Sequence, residues 1–77
     1  MTEKALFRRI VLDPTIMLGK PVIRGTRLTV EIIVEKIAYG AAFEDILKDY
    51  PFIATDDIRA SLFYAVKSVA HEEIYAA

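Results

Sequence analysis

Two stops and two caps, Gly40, Pro51, Thr29 and Thr55, cut the second half of this chain into three short helices. Thr29 is a good N-cap, because its hydroxyl can accept an otherwise unpaired first-turn N–H, and Glu31 puts a negative charge beside the positive end of the helix dipole. Leu28 before the cap and Ile33 four residues after it are spaced for a hydrophobic staple. The first helix is predicted over Val30–Tyr39 and ends at Gly40, since glycine takes the left-handed conformation of a C′ residue without steric cost. Val30, Ile33, Val34 and Ile37 share one face, and Ile32 and Tyr39 widen it, so this helix is expected to be covered on more than one side. The second helix is predicted over Phe43–Asp49, with Phe43, Ile46, Leu47 and Tyr50 as its stripe. Pro51 stops it by pushing Tyr50 out of the helical region. Thr55 caps the third, Asp56 and Asp57 fill its first turn, and Ile58, Leu62, Ala65, Val66 and Val69 follow the helical period to about Glu73.

The first 28 residues have a different pattern. Leu6–Leu12 is rich in Phe, Leu, Ile and Val and ends at Asp13-Pro14, which predicts a strand. Pro21-Val22-Ile23 predicts a second, with Pro21 at its start or on an edge because it has no N–H to donate. Gly19 and Gly25 bracket this segment as turn positions. The expected fold class is mainly α with a short N-terminal β-arm or hairpin: a three-helix, helix-turn-helix-like domain. The chain is expected to be a single domain over 1–77, with a β-arm at 1–28 and a helical body at 29–77.

Apolar residues make up 55% of the chain, above the roughly 45–50% of ordinary domains. In so small a domain the surplus is most cheaply placed in a subunit interface, so a homodimer is expected. With no cysteine, disulfides, thiolate metal sites and a cysteine nucleophile are excluded. The three apolar residues before Arg8 and Arg9 are too few for a signal-peptide core, and no run approaches the roughly 18 apolar residues of a membrane span. The expected location is cytoplasmic.

The net charge of −1 conceals an asymmetry. Residues 1–28 carry Lys4, Arg8, Arg9, Lys20, Arg24 and Arg27 against only Glu3 and Asp13. The remainder carries Lys36, Lys48, Arg59 and Lys67 against more than twice as many carboxylates. A basic arm on an acidic body marks either a segment that meets an anionic partner or two halves that complement each other within a dimer.

The run Gly19-Lys20-Pro21-Val22-Ile23-Arg24-Gly25-Thr26-Arg27-Leu28-Thr29-Val30 is distinctive, with Asp13-Pro14 before it and Tyr50-Pro51 and Asp57-Ile58-Arg59-Ala60 after it. Together these resemble the family known as domain of unknown function number 433, over roughly residues 8 to 73. Asp13, Pro14, Gly19, Pro21, Gly25, Thr26, Gly40, Tyr50 and Pro51 carry the likeness. Two positions depart from the family pattern. Leu18 stands where the family has the first glycine of a pair, and Ala42 stands where it has a Ser or Thr cap, a loss of about 1 kcal/mol. The resemblance implies a helix-turn-helix-like fold with a preceding β-arm. It also implies, for some members, an antitoxin-like role in Vap-type toxin–antitoxin modules beside PIN-like nucleases.

Gly19 to Thr26 does not form a phosphate loop, because five residues separate the glycines and Gly25, not Lys, precedes Thr26. Arg24 and Arg27 are the residues of interest. A guanidinium fork binds carboxylates or phosphates in pairs, and an antitoxin arginine entering the acidic cluster of a PIN-like nuclease would take the place of metal charge. Lys20, Arg24 and Arg27 are the candidate partner-binding residues. Arg27 can instead tie the arm to Glu31 or Glu35 on the first helix. A DNA-binding reading would use Arg8, Arg9, Lys20, Arg24, Arg59 and Lys67, with the third helix in the groove. Asp56 and Asp57 at its insertion end would repel phosphate. His71, beside Glu72 and Glu73, does not share a helix face with them for metal binding. Asp45 and Asp49 are expected to be solvated rather than catalytic, and Tyr39, Tyr50, Tyr64 and Tyr75 to serve core and interface.

No nucleophile–base–orienter set is visible. The expected function is a non-enzymatic binding module without cofactor or metal: an antitoxin-like protein that masks a PIN-like nuclease. The alternatives are a helix-turn-helix DNA-binding regulator and a purely structural dimerisation module.

Overall fold

The computed structural model describes residues 2–71. The order is α1 (Glu3–Phe7), β1 (Ile10–Val11), a single tight turn (Met17–Gly19), β2 (Val22–Ile23), α2 (Val30–Ala38), α3 (Phe43–Asp49) and α4 (Thr55–His71). The architecture is mainly helical with a two-stranded antiparallel hairpin near the N-terminus, as expected. The hairpin register pairs Ile10 with Ile23 and Val11 with Val22.

The N-terminal half corrects the strand expected over Leu6–Leu12. Only Ile10 and Val11 are extended, and a fourth helix, α1, precedes them. The Thr2 hydroxyl accepts the Ala5 N–H at 3.1 Å and starts this helix. Phe7 then packs on Phe63 of α4, with ring centroids 5.5 Å apart. A period-two reading of Leu6-Phe7 could not anticipate that contact, which lies 56 residues away. Pro21 lies just before β2 rather than at its first position, and its carbonyl accepts the Val30 N–H at 2.9 Å.

The helix boundaries follow their local chemistry. The Thr29 hydroxyl accepts the Ile32 N–H at 3.2 Å, and the staple residues Leu28 and Ile33 are both buried in the core. At the other end of α2, Gly40 has φ +96°. Its N–H donates to Ile37 O at 2.9 Å and that of Ala41 to Lys36 O at 3.0 Å, the paired bonds of a Schellman motif. Ala42 has no acceptor to offer at the start of α3, but the Asp45 carboxylate takes the Ala42 N–H at 2.8 Å. Half of a capping box is thereby kept. Helix α4 begins at Thr55, one residue earlier than a Thr55 cap implies, and Asp57 takes the Ala54 N–H at 2.8 Å. Its expected extension to Glu73 lies outside the described residues beyond His71.

The core is aliphatic. Ile33 of α2, Ile46 of α3, Ile58 of α4 and Val22 of β2 are its most deeply buried large side chains. Helix α4 runs along one side and packs against α2, α1 and β1. Ser61 is fully buried and donates to the Asp57 carbonyl at 2.8 Å, so its hydroxyl is satisfied within the helix.

The loop from Asp13 to Lys20 carries the unusual backbone. The Asp13 carboxylate accepts the Thr15 hydroxyl at 2.7 Å and the Thr15 N–H at 2.9 Å. These bonds favour its charged form and lower its pKa. The turn that follows has three successive residues at positive φ, Met17 at 48°, Leu18 at 59° and Gly19 at 80°. Bonds from Gly19 N to Ile16 O and from Lys20 N to Met17 O close it. For a residue with a Cβ this region costs roughly 1–2 kcal/mol. Leu18→Gly removes most of that cost at some loss of chain entropy. Leu18→Gly is expected to stabilise the fold by about 1 kcal/mol, raising the melting temperature by roughly 4–8 °C in a thermal scan.

Candidate functional site

The turn that follows β2 is built to expose two arginines. The Thr26 N–H donates to Ile23 O at 3.0 Å and closes the turn around Arg24 and Gly25. Gly25 at φ +79° occupies the position where a type II turn requires glycine. The Thr26 hydroxyl donates to Ile23 O at 2.8 Å and accepts the Leu28 N–H at 3.0 Å, which locks both sides of the turn. Glycine and threonine of the Gly25-Thr26-Arg27 triplet are thus structural, and the flanking Arg24 and Arg27 point outward, exposed.

Each basic residue named from the sequence has a distinct place. Arg9 is turned inward: its guanidinium donates to Asp57 at 3.0 Å and lies 3.8 Å from Asp56. Lys20 pairs with Glu31 at 3.0 Å, Lys67 with Glu3 at 3.2 Å, and Arg59 approaches Asp56 at 3.9 Å. Arg24 uses only Nε internally, donating to Arg8 O at 2.7 Å. Among the described residues no carboxylate lies within ion-pair distance of Arg8, Arg24 or Arg27. The tether of Arg27 to Glu31 or Glu35 is therefore not formed, and Lys20 takes Glu31 instead. Arg8, Arg24 and Arg27 remain as uncompensated positive charge about the hairpin. Lys20, grouped with Arg24 and Arg27 in the sequence reading, is half neutralised, and Arg9 has a structural role.

An open cleft of about 750 Å³ lies over the turn, lined by Ile16, Arg24, Gly25, Thr26, Arg27 and Phe52. Phe52 is 62% exposed, and its ring meets the edge of Tyr50 at 6.0 Å. Pro51 stops α3 and sends the chain back toward the hairpin, which is why a residue 25 positions beyond Arg27 shares its cleft. Sequence reasoning missed Phe52, although an aromatic directly after a helix-stopping Tyr-Pro pair was a usable signal. A second open cleft is lined by Ala5, Arg8, Arg9, Arg24 and Asp57, so Arg24 stands between the two.

The carboxylates have ordinary duties. Asp45 caps α3, and Asp49 lies 3.6 Å from Lys36. Lys36 also sits 5.6 Å from the centre of the Tyr50 ring. Among the described residues no three His, Asp or Glu side chains are grouped so as to hold a metal ion. The side chains of His71, Glu72 and Glu73 lie outside the described residues, as does Tyr75. No helix among the described residues is long and apolar enough to cross a membrane.

A small helical module with an N-terminal hairpin and an exposed arginine turn is the class these features define. Residues 10–65 match the family model described as "Protein of unknown function (DUF433)". The chain belongs to the DUF433 family. It is 35% identical over 66 residues to "Uncharacterized protein y4eO" of Sinorhizobium fredii (strain NBRC 101917 / NGR234), over 84% of this chain and 30% of that protein. The chain thus spans less than a third of that relative. It also resembles the crystal structure of a DUF433 member protein from Anabaena variabilis ATCC 29413. There the TM-score is 0.78 and the identity 26%, over 88% of this chain and 67% of the other.

The inward arginine yields a stability test. Asp57 is nearly buried and holds both Arg9 and the Ala54 N–H. Asp57→Ala leaves both donors without this acceptor and is expected to cost about 3 kcal/mol. Arg27→Ala, on the exposed turn, should stay within about 0.5 kcal/mol of the parent. Urea unfolding of the two variants checks the contrast.

Proposed function

We propose that this chain is a cytoplasmic, non-enzymatic binding module that presents Arg24 and Arg27 to a carboxylate cluster on a partner protein. A PIN-like nuclease masked in the manner of an antitoxin is the partner this reading favours. The observation that carries it is the sorting of the cations. Among the described residues Arg9, Lys20, Lys36, Arg59 and Lys67 have acidic partners, whereas Arg24 and Arg27 have none and flank a cleft with Ile16 and Phe52. Arginine and aromatic residues, phenylalanine among them, are enriched at protein interfaces over the rest of the surface. A guanidinium meets a carboxylate through two parallel hydrogen bonds, which suits a cluster of acidic ligands.

The DNA-binding alternative has less support. Helix α4 would have to enter the groove at its N-terminus. That end carries Asp56 and Asp57 and is tied to Arg9. Of the six residues that reading would use, four are already paired with carboxylates. The homodimer expected from composition belongs to the same proposal. Helix α4 leaves Leu62, Ala65, Val66 and Val69 along one apolar strip, and Val66 and Val69 are more than half exposed.

The test is co-expression of the chain with PIN-like nucleases of its source organism, followed by titration calorimetry. A stable complex is expected, weakened about 100-fold by Arg24→Glu with Arg27→Glu. Tight retention of duplex DNA with a steep salt dependence, and no protein complex, would overturn the reading in favour of the regulator. Light scattering of the free chain is expected to give twice the monomer mass, shifting toward one with Val66→Asp.

A further inference from the structure

We infer that Leu18 is an apolar anchor that inserts into the partner's surface next to the carboxylates held by Arg24 and Arg27, an inference that rests on the binding reading above. Three observations carry it. The first is backbone strain. Met17 and Leu18 are successive residues with φ of 48° and 59°, a conformation that glycine or asparagine adopts far more readily. The second is exposure. Leu18 is 94% exposed and Met17 41%, so the Leu18 side chain contributes almost nothing to the core that would offset that strain. The turn holds a large apolar side chain out in water at a cost to the fold, and such a cost is a reason to look for function. The third is position. The bond from Gly19 N to Ile16 O, at 3.0 Å, places Leu18 in the turn that Ile16 opens. Ile16 lines the same cleft as Arg24, Arg27 and Phe52.

The occupant follows from this chemistry. Guanidinium groups that find no carboxylate among the described residues ask for one on the partner, and a protruding leucine with Met17 beside it in the turn asks for an apolar depression. A free anion would satisfy only the charges. Duplex DNA would satisfy the charges but takes an aliphatic side chain chiefly as a wedge, by unstacking a base step at a cost of a few kcal/mol. A protein surface with an apolar pocket rimmed by acidic side chains satisfies both. The partner's pocket is expected to take Leu18 while its rim takes Arg24 and Arg27. An anchor filling a pocket beside paired arginines has the arrangement of a hot spot within a ring of charge.

The experiment uses the full chain and the nuclease that co-purifies with it. Calorimetric titrations compare the parent with Leu18→Gly, Leu18→Asn, Leu18→Met and the Arg24→Glu/Arg27→Glu pair, with a thermal melt of each. Leu18→Gly and Leu18→Asn relax the turn and are expected to melt higher than the parent, yet bind about tenfold or more weakly. Leu18→Met keeps the apolar bulk and is expected to bind within about threefold of the parent. Unchanged affinity in Leu18→Gly, with binding lost in the arginine pair, overturns the anchor and leaves the binding reading standing. Absence of a complex with the parent chain overturns both.

Discussion

The Asp57 carboxylate ties the start of α4 to the junction of α1 and β1. One oxygen accepts the Ala54 N–H and satisfies a donor at the start of α4. The other accepts Arg9, 48 residues earlier, where the chain leaves α1 for β1. The Arg9 carbonyl in turn accepts the Arg24 N–H at 2.8 Å, and the Arg8 carbonyl accepts Arg24 Nε. The path from α4 through Arg9 to the turn after β2 is therefore a chain of hydrogen bonds with one charged pair at its root. Asp57 is nearly buried, so the pair operates at lower dielectric than a surface ion pair, and each partner depends on the other to avoid an unmet charge. The position and tilt of the hairpin follow from that link together with the apolar contacts of Ile10 and Ile23.

The same link separates the arginines by role. Arg8, Arg9, Arg24 and Arg27 lie close together in the fold and are indistinguishable by composition. Arg9 faces inward because Asp57 lies beneath it. Arg24 is fixed at Nε by a backbone carbonyl, which leaves the outer edge of its guanidinium pointing into the clefts. A side chain held at one end loses less freedom when the other end binds, so Arg24 is better preorganised than a surface lysine would be.

Much of the helical half was legible because its signals are local. Thr29, Gly40, Ala42 and Pro51 act within four residues of themselves, and the boundaries of α2 and α3 fall where they direct. Pro21 and Gly25 were legible for the same reason. What escaped the sequence is long-range. Leu6 and Phe7 look like strand residues until Phe63 is known to lie beside them. Arg9 looks like part of a basic patch until Asp57 is found to take it. Arg27 stood four positions from Glu31, and helical spacing favoured a pair, but Arg27 precedes the helix and Lys20 reaches Glu31 from the other side. Phe52 was passed over because its exposure depends on how the chain turns after Pro51.

The acidic body and basic arm, read as one asymmetry, divide differently once partners are assigned. Asp56, Asp57, Glu31 and Asp49 of the body are all spent on cations of the same chain, and Asp45 caps a helix. Much of the body's negative charge is thus internal compensation. The positive charge left at the turn after β2 is small, but it is concentrated about Arg24 and bordered by Phe52 and Ile16, with the strained, solvent-facing Leu18 in the turn that Ile16 opens. A surface serving general electrostatic attraction would spread its charge and avoid exposed apolar groups. Concentrated guanidinium beside apolar bulk, on a turn locked by Thr26, suits a site that meets one complementary surface at short range.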